Sequence, residues 1–150
     1  MDVTRIDQVG IAVEDLEATL DLYARAFGIR PVSREHVEKD GVEEAMLEVA
    51  GVHLQLVQAS REGSPIARFI ERRGPGLHHL GLAVRSLEEA LAHLRAEGVE
   101  LIDEEPRIGG GGHRIAFVHP RSTGGILIEL VEDGQRGTSD PTRGAEDTGR

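Results

Sequence analysis

Gln8, Gln55, His79 and Glu129 occupy matched positions in a sequence that repeats itself. The run Gln8-Val9-Gly10-Ile11-Ala12-Val13 returns as His79-Leu80-Gly81-Leu82-Ala83-Val84, 71 positions on, and the agreement continues through Leu16/Leu87, Glu17/Glu88 and Leu20/Leu91. Near the end of each half, Leu54-Gln55-Leu56-Val57 is echoed 74 positions later by Ile128-Glu129-Leu130-Val131. Such a repeat implies a pseudo-twofold axis, and that axis can carry all four polar groups to one point. One imidazole, one carboxylate and two carboxamide oxygens, with waters completing the coordination, suit a borderline-to-hard divalent cation. Their single formal negative charge would leave the ion positive enough to polarise a substrate oxygen. Glu129 presses the same point: flanked by apolar residues in a strand expected to be central, its carboxylate would be costly to bury without a positive partner. A metal ion would serve, and so would an arginine.

The elements that must position these groups can be read from periodicity. Residues 6–13 alternate, with Val9, Ile11 and Val13 on a core face and Gln8, Gly10 and Ala12 on a small, polar face of the kind that lines a cleft. Asp15 is placed to cap a helix whose apolar side is Leu16, Leu20, Tyr23, Ala24 and Phe27, ended by Gly28. Strand patterns follow between Pro31 and Gln58, with turns at Asp40-Gly41 and Ala50-Gly51. In the first strand after Asp40-Gly41, Ala45, Leu47 and Val49 form the apolar face, leaving Glu44 and Met46 opposite. In the next, Leu54 and Leu56 face the core and His53, Gln55 and Val57 do not. Ser64-Pro65 opens a short helix with Ile66, Phe69 and Ile70 along one side, broken by Gly74-Pro75-Gly76.

The second half restarts at Leu77. Leu80, Leu82 and Val84 take the core face; His79, Gly81 and Ala83 take the cleft face. Ser86-Leu87-Glu88-Glu89 is a capping box for a helix that buries Leu87, Leu91 and Leu94. Strands are expected at 99–102, 115–118 and 125–131, and a flexible loop over Gly109–Gly112, whose spacing matches no phosphate-binding fingerprint. Residues 133–150, rich in Gly, Thr, Asp and Arg, read as a disordered tail. Each half is thus strand–helix–strand–strand–strand, and the expected fold is α+β: two paired βαβββ modules forming an open mixed sheet around a cleft. The expected organisation is one domain over residues 1–132, with module one at about 4–60, a bridging helix at about 64–73 and module two at about 77–132.

Composition narrows the function classes. A net charge of −10 argues against nucleic-acid binding. No apolar run is long enough for a membrane span and no signal-peptide pattern opens the chain. The absence of cysteine removes disulfide and thiolate chemistry and agrees with a cytoplasmic protein. Aromatic content of 3% leaves packing to Val, Leu, Ile and Ala.

Several segments together resemble a known family. They are Ile6-Asp7-Gln8-Val9-Gly10-Ile11-Ala12-Val13-Glu14-Asp15-Leu16, Asp40-Gly41-Val42-Glu43-Glu44-Ala45-Met46-Leu47, Gly76-Leu77-His78-His79-Leu80, and Phe117-Val118-His119-Pro120 leading to Gly124-Gly125-Ile126-Leu127-Ile128-Glu129-Leu130. Together with Ser64-Pro65-Ile66-Ala67 they are similar to the methylmalonyl-CoA epimerases of the vicinal oxygen chelate (glyoxalase/bleomycin resistance/dioxygenase) superfamily, over about residues 4 to 132. The resemblance implies one divalent metal ion, cobalt first, with manganese, nickel or zinc as the other candidates, held by Gln8, Gln55, His79 and Glu129. The family's first ligand is ordinarily histidine; here it is Gln8, a poorer donor to late first-row ions, which implies weaker binding or a shift to harder metals. No organic cofactor is implied.

The implied reaction inverts the carbon between a thioester and a carboxylate by removing and returning its proton through a metal-stabilised enolate. The resemblance gives that work to Glu44 and Glu129, on opposite faces of the planar intermediate. Alternation independently sets Glu44 away from the apolar side of its strand, whereas Glu43 points the other way. The implied partners are a small-molecule acyl-CoA thioester and a second copy of the chain in a homodimer, with neither nucleic acid nor membrane. Arg61, Arg73, Arg107 and Arg114 are available for the nucleotide end of coenzyme A, and nothing in their spacing chooses among them. His78 reads as structural support and His119 as a loop or cleft residue, while His36, His53, His93 and His113 have no assigned role. Two other readings stay open: another metal-dependent enzyme of the superfamily, such as a glyoxalase-type isomerase, and a non-catalytic ligand-binding relative.

Overall fold

The computed structural model describes residues 1–134; the expected disordered tail lies, but for its first two residues, outside them. Eight strands form one mixed sheet in the order β2-β3-β4-β1-β5-β8-β7-β6. The first half supplies β1 (Val3–Ala12), α1 (Leu16–Phe27), β2 (Pro31–Val37), β3 (Val42–Val49) and β4 (Val52–Ala59). Helix α2 (Pro65–Arg73) bridges to β5 (Gly76–Val84), α3 (Leu87–Ala96), β6 (Arg107–Ile108), β7 (Arg114–Val118) and β8 (Leu127–Glu132). Outward from the centre, β1-β4-β3-β2 mirrors β5-β8-β7-β6. In both halves the first strand runs parallel to the last, and β1 meets β5 antiparallel. This is the open, curled α+β sheet of two βαβββ units that the repeat implies.

The helices start and stop where local chemistry dictates. Asp15 accepts the Ala18 amide and Gly28 adopts a left-handed φ of 68° at the other end of α1. Ser64 accepts the Ala67 amide with Pro65 in the first turn of α2, and Ser86 accepts the Glu89 amide at α3. Helix α1 covers one side of the first half through Leu16 and Leu20 against Ala45, Leu47 and Leu56. Helix α3 covers the second half through Leu87, Ala90 and Leu91 against Ala116, Val118 and Leu130. Helix α2 lies on the other side of the sheet, where Ile66 packs on Ala12, Val42 and Val57. Those β1 and β4 residues share a face with Gln8 and Gln55, so α2 closes one end of the sheet's inner surface. Among the described residues no helix is long and apolar enough to cross a membrane.

Three expectations about elements are corrected. Residues 99–102 form no strand; they touch β7 through a single bridge, Leu101 to Val118. The Asp103 carboxylate accepts the Phe117 amide and so takes a donor that a longer ladder would need. The strand paired with β7 is instead β6, at Arg107–Ile108. Phe27 and Val49, expected on apolar faces, are 66% and 41% exposed, because each ends its element beyond the reach of the core.

Candidate functional site

The sheet's middle seam builds the site. In the β1–β5 register Gln8 lies opposite Gly81, and Gly10 lies opposite His79. A Cβ at Gly10 would meet the His79 ring at 2.1 Å, and one at Gly81 would meet Gln8 Cγ at 2.6 Å. Each half therefore leaves a bare stretch of backbone on which the other half's polar side chain rests. Register shifts flank both positions, between Ile6 and Gln8 on one strand and around His78 on the other. The bulged residues Asp7 and His78 are themselves repeat partners. Bulges of this kind re-aim neighbouring side chains next to functional sites.

The four residues gather around the Gln8 carboxamide. Its Nε2 is 2.9 Å from His79 Nε2, 3.2 Å from Glu129 Oε1 and 3.3 Å from Gln55 Oε1. Gln8, His79 and Glu129 are 2%, 6% and 8% exposed, so the cluster is withdrawn from bulk water. The Gln8 amide has two hydrogens for these three neighbours; when one goes to His79 Nε2, the imidazole proton is on Nδ1, which lies 2.9 Å from His78 Nδ1. Burial pushes the His78 imidazole below its ordinary pKa, which keeps it neutral and able to accept that proton. The His78 ring is also held by an edge contact with Phe69, at 4.8 Å between centroids. Gln55 has a fixed sense: its oxygen faces the cluster while its Nε2 donates to Glu44 Oε2 at 2.7 Å.

This donor set fits a cation. Metal–oxygen and metal–nitrogen bonds of about 2.1 Å put neighbouring ligand atoms about 3.0–3.4 Å apart, close to the spacings found around the Gln8 terminal atom. A carboxamide turned by half a revolution presents oxygen in place of nitrogen, so Gln8 can meet either a cation or its neighbours' lone pairs. Among the described residues no three His, Cys, Asp or Glu side chains gather in a metal-binding group. A cation held here would therefore need both amides beside His79 and Glu129.

A cleft of about 450 Å³ opens beside the cluster, with Gln8, Gln55 and Glu129 in its lining and walls that include Glu44 and Met46 from β3 and Ile115 from β7. Glu44 pairs with Val57 and Ile115 with Val131, so the two occupy equivalent places in the repeat. The cleft is accordingly asymmetric, with a carboxylate on one wall and a methyl-rich surface on the other. Glu43 is exposed and lies 3.5 Å from His36, away from the cleft. His113 and the Gly110–Gly111 turn also line it, with no motif in the sequence to mark them. Their signal was hidden by the misplaced sixth strand, because pairing Ile108 with Arg114 is what folds this hairpin over the cleft. His53, likewise unassigned, joins the lining beside Gln55. His119 caps the turn Pro120–Ser122 by accepting the Arg121 amide.

Comparison with known proteins agrees with this architecture. Residues 7–117 match the family model described as Glyoxalase/Bleomycin resistance protein/Dioxygenase superfamily. The chain is 37% identical over 130 residues to the uncharacterised protein YqjC of Bacillus subtilis, covering 87% of this chain and 93% of that one. It is 31% identical over 131 residues to the mitochondrial methylmalonyl-CoA epimerase of Dictyostelium discoideum, covering 87% and 79%. Among solved structures, methylmalonyl-CoA epimerase from Mycobacterium tuberculosis superposes with a TM-score of 0.80 at 41% identity, covering 87% and 88%. A methylmalonyl-CoA epimerase in complex with methylmalonyl-CoA and NH4+ superposes with a TM-score of 0.80 at 36% identity, covering 89% and 96%.

Proposed function

This chain belongs to the Glyoxalase/Bleomycin resistance protein/Dioxygenase superfamily, and within it we propose that the chain epimerises methylmalonyl-CoA. The reading is supported by the relatives and solved structures of that activity. The single observation that carries it to particular residues is the 2.7 Å contact from Gln55 Nε2 to Glu44 Oε2. That contact ties a carboxylate on the cleft wall to the donor set on the cleft floor, so base and cation set are held as one unit.

Gln8, Gln55, His79 and Glu129 would hold one divalent cation, cobalt by resemblance, with manganese, nickel or zinc as alternatives. When bound, it supplies Lewis-acid polarisation of the thioester oxygen, which makes the α-proton acidic enough to remove. The chain's own residues do the rest. Glu44 takes the α-proton from one face; the C–H electron pair moves into the thioester carbonyl, leaving a planar enolate. Glu129, entering as the acid, returns a proton to the carbon's opposite face, and the configuration inverts with no net change in atoms. Starting from the other epimer, the two carboxyl groups exchange roles. Gln55 keeps Glu44 aimed, and His78 holds His79 in the tautomer that offers Nε2 to the cluster. Ile115, standing where the repeat would place a second wall carboxylate, leaves the substrate's methyl group an apolar surface.

The test is a mass spectrum of methylmalonyl-CoA incubated with the protein in D2O and each candidate cation. Deuterium should enter at the α-carbon. From the epimer whose proton faces Glu44, Glu44→Gln should slow that entry by about 10²–10⁴-fold, and Glu43→Gln should leave it near the parent rate. No uptake with any of the cations would overturn the reading.

A further inference from the structure

Methylmalonyl-CoA is a polyanion and this chain carries a net charge of −10, so binding requires a local region of reversed sign. The arginines that the sequence leaves unsorted are separated by their contacts. Arg61 donates to the carbonyls of Glu38 and Lys39, and Arg107 pairs with Asp103 while stacking on Phe117. Arg114 pairs with Glu88 and Glu132, and Arg34, at the mouth of the main cleft, pairs with Glu17. Among the described residues Arg68, Arg72 and Arg73 pair with no carboxylate, and Arg73 lies over the Phe69 ring at 6.0 Å from its centroid. All three lie on α2 and line a second cleft of about 410 Å³, together with His78 and His119. Among the described residues no carboxylate lines that cleft, although acids outnumber bases in the chain by 27 to 17.

The second cleft stands on the same inner surface as the first. Helix α2 packs on Ala12 and Val57, which continue the face of Gln8 and Gln55, and Leu127 in the second cleft precedes Glu129 by two residues on β8. His78 lines the second cleft and lies 2.9 Å from His79 of the cluster, so a single histidine contact separates that cleft from the cluster. Phe69, Ile102 and Leu127 give the second cleft an apolar wall. Arg72 and Arg73 complement the C-terminal dipole of α2, but that accounts for neither Arg68, one turn earlier, nor the exclusion of carboxylates.

We infer that this arginine cleft seats the phosphate groups of an acyl-CoA whose acyl end lies at the cluster, with the pantetheine arm passing His78. Guanidinium groups suit this ligand because their paired N–H donors match phosphate oxygens. The inference rests on the proposed activity for its substrate, and its test separates the two. Deuterium entry is followed for methylmalonyl-CoA and for the methylmalonyl thioester of pantetheine, which has no phosphate. In Arg68→Gln/Arg72→Gln/Arg73→Gln, KM for the CoA ester should rise at least about tenfold, the effect of losing one charged hydrogen bond. kcat should hold, and KM for the pantetheine ester should not move. Arg25→Gln, on the far helix α1 and paired with Asp21, should change neither. A KM for the CoA ester that stays put, or one that rises in step with the pantetheine ester, overturns the inference. Should neither ester exchange, the epimerase reading fails alone, and calorimetry with free CoA decides the arginine cleft: equal binding by parent and variant overturns it. If the triple variant does not fold, the exposed single variant Arg72→Gln carries the same comparison.

Discussion

Replacing Gly10 by alanine tests the site through a residue that takes no part in chemistry. The added Cβ would stand 2.1 Å from His79 Cε1 and 2.2 Å from Nδ1. Ordinary contact begins near 3.4 Å, so the ring must retreat by about 1.3 Å. The Cβ lies against the ring itself, not at the end of a pliable chain, and His78 and Gln8 hold the ring at both nitrogens. A displacement of about 1 Å in a group that orients substrate costs on the order of 10²-fold in rate, and the overpacking should cost about 1–3 kcal/mol of stability. Gly81→Ala is the graded comparison. Its Cβ would meet Gln8 Cγ at 2.6 Å, which requires a smaller shift of a side chain with more freedom. Rates of α-deuterium entry, cation affinity by calorimetry and thermal midpoints should therefore fall in the order parent, Gly81→Ala, Gly10→Ala. A Gly10→Ala protein that keeps full exchange and unchanged cation affinity would refute the reasoning, because His79 would then be dispensable at its observed position.

Other perturbations address other parts of the molecule. Gln8→His should tighten divalent-cation binding by about tenfold or more, since imidazole is the better donor to late first-row ions; calorimetry showing no change would remove Gln8 from the ligand set. Leu91→Ala, which empties a fully buried place between α3 and the sheet, should destabilise by about 2–5 kcal/mol in urea unfolding, and a loss under 1 kcal/mol would mean the packing there is loose. Asp133, hydrogen-bonded to Thr4 and paired with Arg5, has its carboxyl held below the ordinary range. A depressed carboxylate adds stability above its unfolded pKa of about 3.8 and loses it as pH falls through the folded value. Asp133→Asn should therefore lower the thermal midpoint at pH 7 and flatten its decline below about pH 4, and an unaltered acid limb would count against the pairing.

Much of this was legible because duplication turns local pattern into long-range geometry. Alternation in residues 6–13 and 79–84 sets faces, and equivalence of Gln8 with His79 sets which residues share a point; neither needs knowledge of the loops between. Glu44 could be told from Glu43 because β3 has period two and one apolar side. The second half was harder. Residues 99–102 have strand-like side chains, but the Asp103 carboxylate intercepts the Phe117 amide, and that is a tertiary fact with no local signature. Losing β6 hid the hairpin that brings His113 and the glycine turn over the cleft. The orientation of Gln8 was equally illegible, since a carboxamide's sense depends on neighbours drawn from three other strands. The α2 arginines that pair with no described carboxylate stand out only once the partners of Arg61, Arg107 and Arg114 are known.

The bare backbone patches at Gly10 and Gly81 have one more consequence. Because β1 shelters the imidazole of β5 and β5 shelters the carboxamide of β1, neither half possesses the centre by itself; ownership is mutual. A slip of one residue along that joint would turn one of the two side chains to the opposite face from the other, so fidelity of the joint and integrity of the centre stand or fall as one. The same mutuality makes the centre indifferent to chain connectivity. Two copies that traded their later halves through the α2 bridge would rebuild an identical joint, and with it an identical centre.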